Sequence, residues 1–218
     1  MVRLQGDLSR SARLFFGLFL YAVGIVLTVH ANIGASPWDV FHLGLGQQTG
    51  WSLGMANIVT SVVVVALAAA LKERIGFGTL SNMIFIGLFL DVIIENGLIP
   101  VLQNPVHGVL MLVAGLFTIA LATVFYIGAG YGAGPRDSLM VALSRRTGWT
   151  PGFCKGCIEA AILLLGWLLG GKVGIGTVIS AFGIGIAVQI VFGLTRFKVK
   201  DIHQESFAET TRRLLPRR

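Results

Sequence analysis

Charge is what this sequence has least of. Only 12% of its 218 residues are Asp, Glu, Lys or Arg, against about 25% in soluble domains. From Leu14 to Leu71 the sole such residue is Asp39, and between Arg74 and Arg136 only Asp91 and Glu95 interrupt the apolar sequence. Such stretches need lipid or a large buried core, and a chain of 218 residues is too short for the second. Cysteine is equally scarce. Cys154 and Cys157 form a C-x-x-C pair with no second pair or neighbouring histidine, which does not supply the four ligands of a closed zinc site, so packing thiols are expected. The chain has no nucleotide loop, no H-E-x-x-H run and no serine, histidine and carboxylate set in a recognisable context. No enzyme is therefore expected, and neither a cofactor nor a metal centre. No basic patch is interleaved with base-stacking aromatics, which removes nucleic acid as a partner.

Apolar sequence is what the chain has in abundance, at 55% of residues. Spans of about 20 apolar residues fit at 14–31, 53–71, 80–99, 109–129, 152–169 and 178–194. The first, preceded by Arg3, Arg10 and Arg13, has the look of a signal peptide, but its counterpart at 109–129 lies mid-chain, so both are read as retained spans. The counterpart exists because the chain repeats itself at an offset of 98 residues. Gly17-Leu18-Phe19 returns as Gly115-Leu116-Phe117, and Gly34-Ala35-x-Pro37-x-Asp39 as Gly132-Ala133-x-Pro135-x-Asp137. Thr49-Gly50-Trp51 returns as Thr147-Gly148-Trp149, Gly76-x-Gly78-Thr79 as Gly174-x-Gly176-Thr177, and Ile86-Gly87 as Ile184-Gly185. One offset held through five blocks implies duplication, with repeat 1 at 14–99 and repeat 2 at 109–196.

Lysine and arginine set the orientation. With segment 1–13 cytoplasmic, the inner segments carry Arg3, Arg10, Arg13, Lys72, Arg74, Arg136, Arg145, Arg146 and a basic tail at 197–218, while the outer ones carry only Lys172. Both termini are thus expected inside a bacterial plasma (inner) membrane, and the net charge of +7 reads as a topology signal. Three spans per repeat is an odd number, so the second copy runs upside down relative to the first. The expected architecture is an all-α polytopic protein of six transmembrane helices in two inverted repeats, an arrangement that recurs in secondary transporters.

The run N-I-G-A-S-P-W-D-V-F at Asn32 to Phe41, followed by T-G-W-S-L-G at Thr49 to Gly54 and a G-x-G-T turn, resembles the bacterial YczE/YitT-type membrane proteins. The resemblance covers nearly the whole chain and implies a small multi-pass plasma-membrane protein. It brings neither a substrate nor functional residues. The second copy departs from the first with Arg136 in place of Trp38.

After the first span of each copy, segments 37–48 and 135–146 would make helices of roughly 18 Å, too short for about 30 Å of hydrocarbon. They are expected to lie on the surface or to dip in and return. In the first, Trp38, Phe41 and Leu45 share one face and Asp39, His42 and Gly46 another, while Ser36 and Asp39 have the spacing of a capping box. The preceding Gly34, Ser36 and Pro37, and Gly132, Gly134 and Pro135, are candidate helix breaks. Asp39 and Asp137 then have two readings: first-turn carboxylates favoured by the helix dipole, or groups that gate or coordinate a cation at the breaks. Within the spans, Asp91 and its counterpart Gln189, together with Asn57 and Glu159, are the candidates for a central polar site. Lys155 stands four residues before Glu159, the spacing of a helical ion pair.

Together these features point to a small-solute carrier or channel. A binding subunit of a larger importer and an accessory or scaffold protein without transport activity are the alternatives. The expected partners are the lipid bilayer and a small solute or ion, with a homodimer or another membrane protein left open.

Overall fold

The computed structural model describes residues 2–214, which contain helices and no strand. Eight helices form the body: α1 (Val2–His30), α2 (Pro37–Thr49), α3 (Leu53–Ala70), α4 (Phe77–Glu95), α5 (Pro105–Gly128), α6 (Pro135–Thr147), α7 (Pro151–Leu168) and α8 (Ile175–Thr195). A 3-10 turn at Val199–Asp201 and α9 (Phe207–Leu214) follow. Six helices are long and apolar enough to cross a membrane: α1 from Leu8, α3, α4, α5, α7 and α8. The chain is a multi-pass membrane protein.

Local chemistry sets the helix ends. Ser52 Oγ accepts from Met55 N and Thr150 Oγ1 from Phe153 N, which caps α3 and α7. At α4 and α8 the cap is reversed in sense: Thr79 and Thr177 each turn a hydroxyl back to accept from Gly76 N and Gly174 N, both at 3.2 Å. These helices therefore begin at Phe77 and Ile175, ahead of the expected Leu80 and Val178. Likewise α1 continues upstream of Leu14 to Val2, so most of the expected N-terminal segment 1–13 extends the first helix.

The centre of the bundle is the α1–α5 pair. Gly24 and Gly115 bring the two backbones together, and a Cβ on Gly24 would stand 3.0 Å from the Gly115 carbonyl. Lipid offers apolar side chains no gain over packing, so such small-residue contacts are what hold membrane helices together. Around this pair α4 packs against α1 through Leu14, Leu18, Leu90 and Ile93, and α8 against α5 through Leu112, Leu116, Ala187 and Val191.

The short helices lock onto the opposite half of the chain. Helix α2 lies against α7, where a Cβ on Gly166 would meet Phe41 N at 2.5 Å and one on Gly171 would overlap the Val40 carbonyl. Helix α6 lies against α3, with Ala142 and Ala68 both buried. The turns cross over in the same way. Gly176 N donates to the Ile33 carbonyl at 2.8 Å, and Gly78 N donates to the Tyr131 carbonyl at 2.7 Å. Gly34 and Gly132, at φ 107° and 110°, make these turns possible in a region that L side chains avoid.

One contact is not repeated. Helix α3 packs along α4, whereas α7 and α8 barely touch. A Cβ on Gly54 would overlap the Gly87 carbonyl, yet among the described residues nothing stands within 4 Å of the equivalent positions on Gly152 and Gly185.

The segment after α8, expected as a basic tail at 197–218, folds back over the loops that follow α3 and α5. Glu205 N donates to the Gly130 carbonyl and Phe207 N to the Ile75 carbonyl, both at 2.9 Å. Arg10 pairs with Glu205 at 3.0 Å. At the start of α9, hydrogen bonds from the Ser206 backbone and hydroxyl hold the Glu209 carboxyl below the usual carboxylate range. The last residues of the expected tail, 215–218, lie outside the described residues.

Candidate functional site

Every helix from α1 to α8 contributes to one cavity of about 130 Å³. Much of its lining comes in pairs at the 98-residue offset: Asp39 with Asp137, Trp38 with Arg136, Asn57 with Lys155, Ser61 with Glu159 and Asn82 with Ser180. The two helix breaks deliver the first of these pairs. Ser36 and Gly134 are extended residues just ahead of Pro37 and Pro135, so each short helix starts at the cavity wall with its aspartate in the first turn.

The two aspartates differ in what they touch. Ser36 Oγ donates to Asp39 Oδ2 at 2.6 Å and accepts from Asp39 N at 3.4 Å. The expected capping box is thus altered: the Asp39 carboxylate takes the Ser36 hydroxyl instead of the Ser36 backbone N–H, in keeping with a side chain one methylene shorter than Glu. Among the described residues Asp39 Oδ1 has no hydrogen-bond partner, and neither does either ring nitrogen of His42, one turn along. Both residues are almost wholly buried, with Oδ1 and Nδ1 3.8 Å apart. Asp137 Oδ2 instead accepts from the Tyr126 hydroxyl at 3.1 Å.

Arg136 stands between these groups. Its guanidinium covers the Trp38 ring at 4.8 Å from the centroid and donates to Asn57 Oδ1 at 3.1 Å. Tyr21 lies in the field of Arg136, Asp137, Asp39 and Glu159 together. Lys155 and Glu159 form the expected i,i+4 pair at 2.6 Å. Asp39, Asp137 and Glu159 line the cavity with Arg136 and Lys155, a formal excess of one negative charge.

Of the residues expected at a central polar site, Asn57 and Glu159 line the cavity together with Asp39 and Asp137, while Asp91 and Gln189 lie outside it. Asp91 caps a helix end. It accepts from the Ser52 hydroxyl at 2.6 Å and from Gly54 N at 2.8 Å, so its charge is matched to the N-terminus of α3. Its position on α4 is set by the Gly54–Gly87 contact, a tertiary feature invisible in the spacing of one span. Gln189 is exposed on α8 because the matching α7–α8 contact is unmade. Trp38, Asp39, Val40 and His42 are all buried, so this turn of α2 packs inside the protein. Tyr21, Tyr126, Asn82 and Ser180 were not anticipated; the one available signal was that Asn82 and Ser180 are polar at the same repeat position.

The capping role of Asp91 sets an expected result. In Asp91→Asn the amide oxygen can keep one of two bonds, so thermal unfolding in detergent should show a loss of about 1 kcal/mol. A loss no greater than that of an exposed control such as Glu95→Gln would contradict the capping role.

No solved structure matches this chain. The uncharacterized membrane protein YczE of Bacillus subtilis (strain 168) is 33% identical over 177 residues, covering 80% of this chain and 81% of YczE. An uncharacterized protein of Haemophilus influenzae is 34% identical over 184 residues, 83% of this chain and 82% of that protein. The uncharacterized protein YyaS of Bacillus subtilis (strain 168) is 27% identical over 169 residues. A match over residues 8–192 places the chain in the family of unknown function DUF6198, to which it belongs.

Proposed function

We propose that this protein is a small-solute carrier of the bacterial inner membrane, not an enzyme, in which two inverted repeats alternate around the shared cavity with both termini cytoplasmic. The observation that carries this reading is the unequal state of two equivalent helix contacts. On one side of the cavity α3 and α4 are closed by the Gly54–Gly87 approach and by Asp91. On the other, Gly152 and Gly185 face open space and Gln189 is exposed.

If the repeats are inverted, the closed contact lies toward the outside and the open one toward the cytoplasm. A carrier with two such halves reaches its other state by exchanging their conformations. The amide oxygen of Gln189 would then accept from Gly152 N as Asp91 accepts from Gly54 N. Helix α2, locked to α7 by Gly166 and Gly171, would move with it and carry Asp39 along.

Cross-linking tests the exchange. In a background with Cys154 and Cys157 replaced by serine, Gly152→Cys with Gly185→Cys should form an intramolecular disulfide on mild oxidation in membranes, which requires the Cα atoms to come within about 7 Å. A membrane-impermeant thiol reagent added outside should then reach Ser61→Cys in the cross-linked protein. No intramolecular disulfide would reject alternation. A disulfide between two chains would favour a second reading, in which the open glycine faces of α7 and α8 seat another membrane protein.

A further inference from the structure

Asp39 lines the cavity, and one turn along α2 the His42 ring is buried behind the lining. Asp39 Oδ1, His42 Nδ1 and His42 Nε2 are all buried without a hydrogen bond among the described residues. Burying polar groups unpaired is costly, and these three, on two residues one turn apart on α2, are not explained by packing. We propose that Asp39 and His42 form a proton-binding pair, which takes up a proton from the cavity and gives it back to water during each cycle.

The geometry selects a proton over a metal ion. Hard cations need six or so oxygen ligands, and here one carboxylate oxygen is already committed to the Ser36 hydroxyl at 2.6 Å. Among the described residues no three His, Cys, Asp or Glu side chains come together in a way that would hold a metal ion. A carboxylate oxygen 3.8 Å from an imidazole nitrogen needs only a small approach for one proton to bridge them. The proton bonds to Asp39 Oδ1, and the hydroxyl so formed donates to Nδ1 of the neutral His42 ring. No other bond breaks, and release to water reverses the step.

The charged surroundings fit this exchange. Lining the cavity together with Asp39 are Arg136 and Asp137 from α6, Lys155 and Glu159 from α7, Asn57 from α3 and Tyr21 from α1, and the field of Arg136 reaches His42 behind it. Uptake of one proton cancels the unbalanced negative charge of the lining. The other half cannot do the same. Met140 stands where His42 has its counterpart, and Asp137 is already satisfied by the Tyr126 hydroxyl, so the expected stoichiometry is one proton per chain.

The test titrates the intact protein in phosphatidylethanolamine and phosphatidylglycerol vesicles between about pH 8 and pH 5, using infrared difference spectroscopy with the proton itself as probe. The carbonyl stretch of a protonated carboxyl group should appear reversibly, vanish in Asp39→Asn and shift in His42→Gln, while persisting in Asp91→Asn. Absence of the band in the parent protein, or its persistence in Asp39→Asn, overturns the proposal. The thermal unfolding of each variant identifies any that fail to fold, and the parent's band under ¹³C-aspartate labelling then decides alone, with no shift of the band on labelling overturning the proposal. This inference rests on the carrier reading for its purpose, but the two fail separately: an α7–α8 pair that never cross-links rejects alternation and leaves the carboxyl band intact.

Discussion

Gly54→Ala is expected to force α3 away from α4. Its Cβ would overlap the Gly87 carbonyl and stand 2.5 Å from Asp91 Cγ, and neither backbone can move without giving up the bond from Gly54 N to Asp91 Oδ1. Overpacking of this kind costs about 1–3 kcal/mol, and the loss of the cap adds to it. The same change at the repeat position, Gly152→Ala, meets nothing within 4 Å and should fall within about 0.5 kcal/mol of the parent in the observed state. Thermal unfolding in detergent measures the contrast. Equal losses at the two positions would mean that the unequal contacts do not represent the resting protein. In membranes Gly54→Ala should also raise the labelling of Ser61→Cys from outside, because it opens the contact that the carrier reading assigns to that side.

Arg136→Ala is the second substitution with a large expected effect. It removes the cation that lies on Trp38 and bonds to Asn57, and it leaves Asp39, Asp137 and Glu159 facing Lys155 alone. A hydrogen bond to a charged group is worth about 1.5–3 kcal/mol and a cation–π contact about 0.5–2 kcal/mol. Arg136 is only partly buried, so solvent screening holds the expected loss to about 2 kcal/mol. Arg136→Lys should recover part of it, since the ammonium restores the charge but not the planar stacking. Adding Asp137→Asn to Arg136→Ala should also recover stability by removing one of the uncompensated carboxylates. If that double variant is less stable than Arg136→Ala, the charge balance described for the cavity is wrong.

Much of the local structure was legible in the chain. The six apolar runs correspond to six helices because their composition leaves lipid as the only solvent. Pro37 and Pro135 start short helices because each follows an extended residue and supplies no N–H where none is needed. The spacing of Lys155 and Glu159 was sufficient for their ion pair. Asp91 lies outside the cavity for a physical reason. An intramembrane carboxylate looks costly along its own helix, and the groups that stabilise it, Ser52 and Gly54, lie on another one.

By itself the sequence determined the solvent, the helices, their breaks and the doubled pattern of glycines, because each depends on apolar content or on contacts a few residues apart. Only the tertiary structure decided which polar groups share a cavity, which aspartate is satisfied, and that one of two equivalent glycine contacts is closed while the other is open. Those outcomes depend on how helices cross, and a crossing is settled by the summed packing of whole helix faces, which no local motif records.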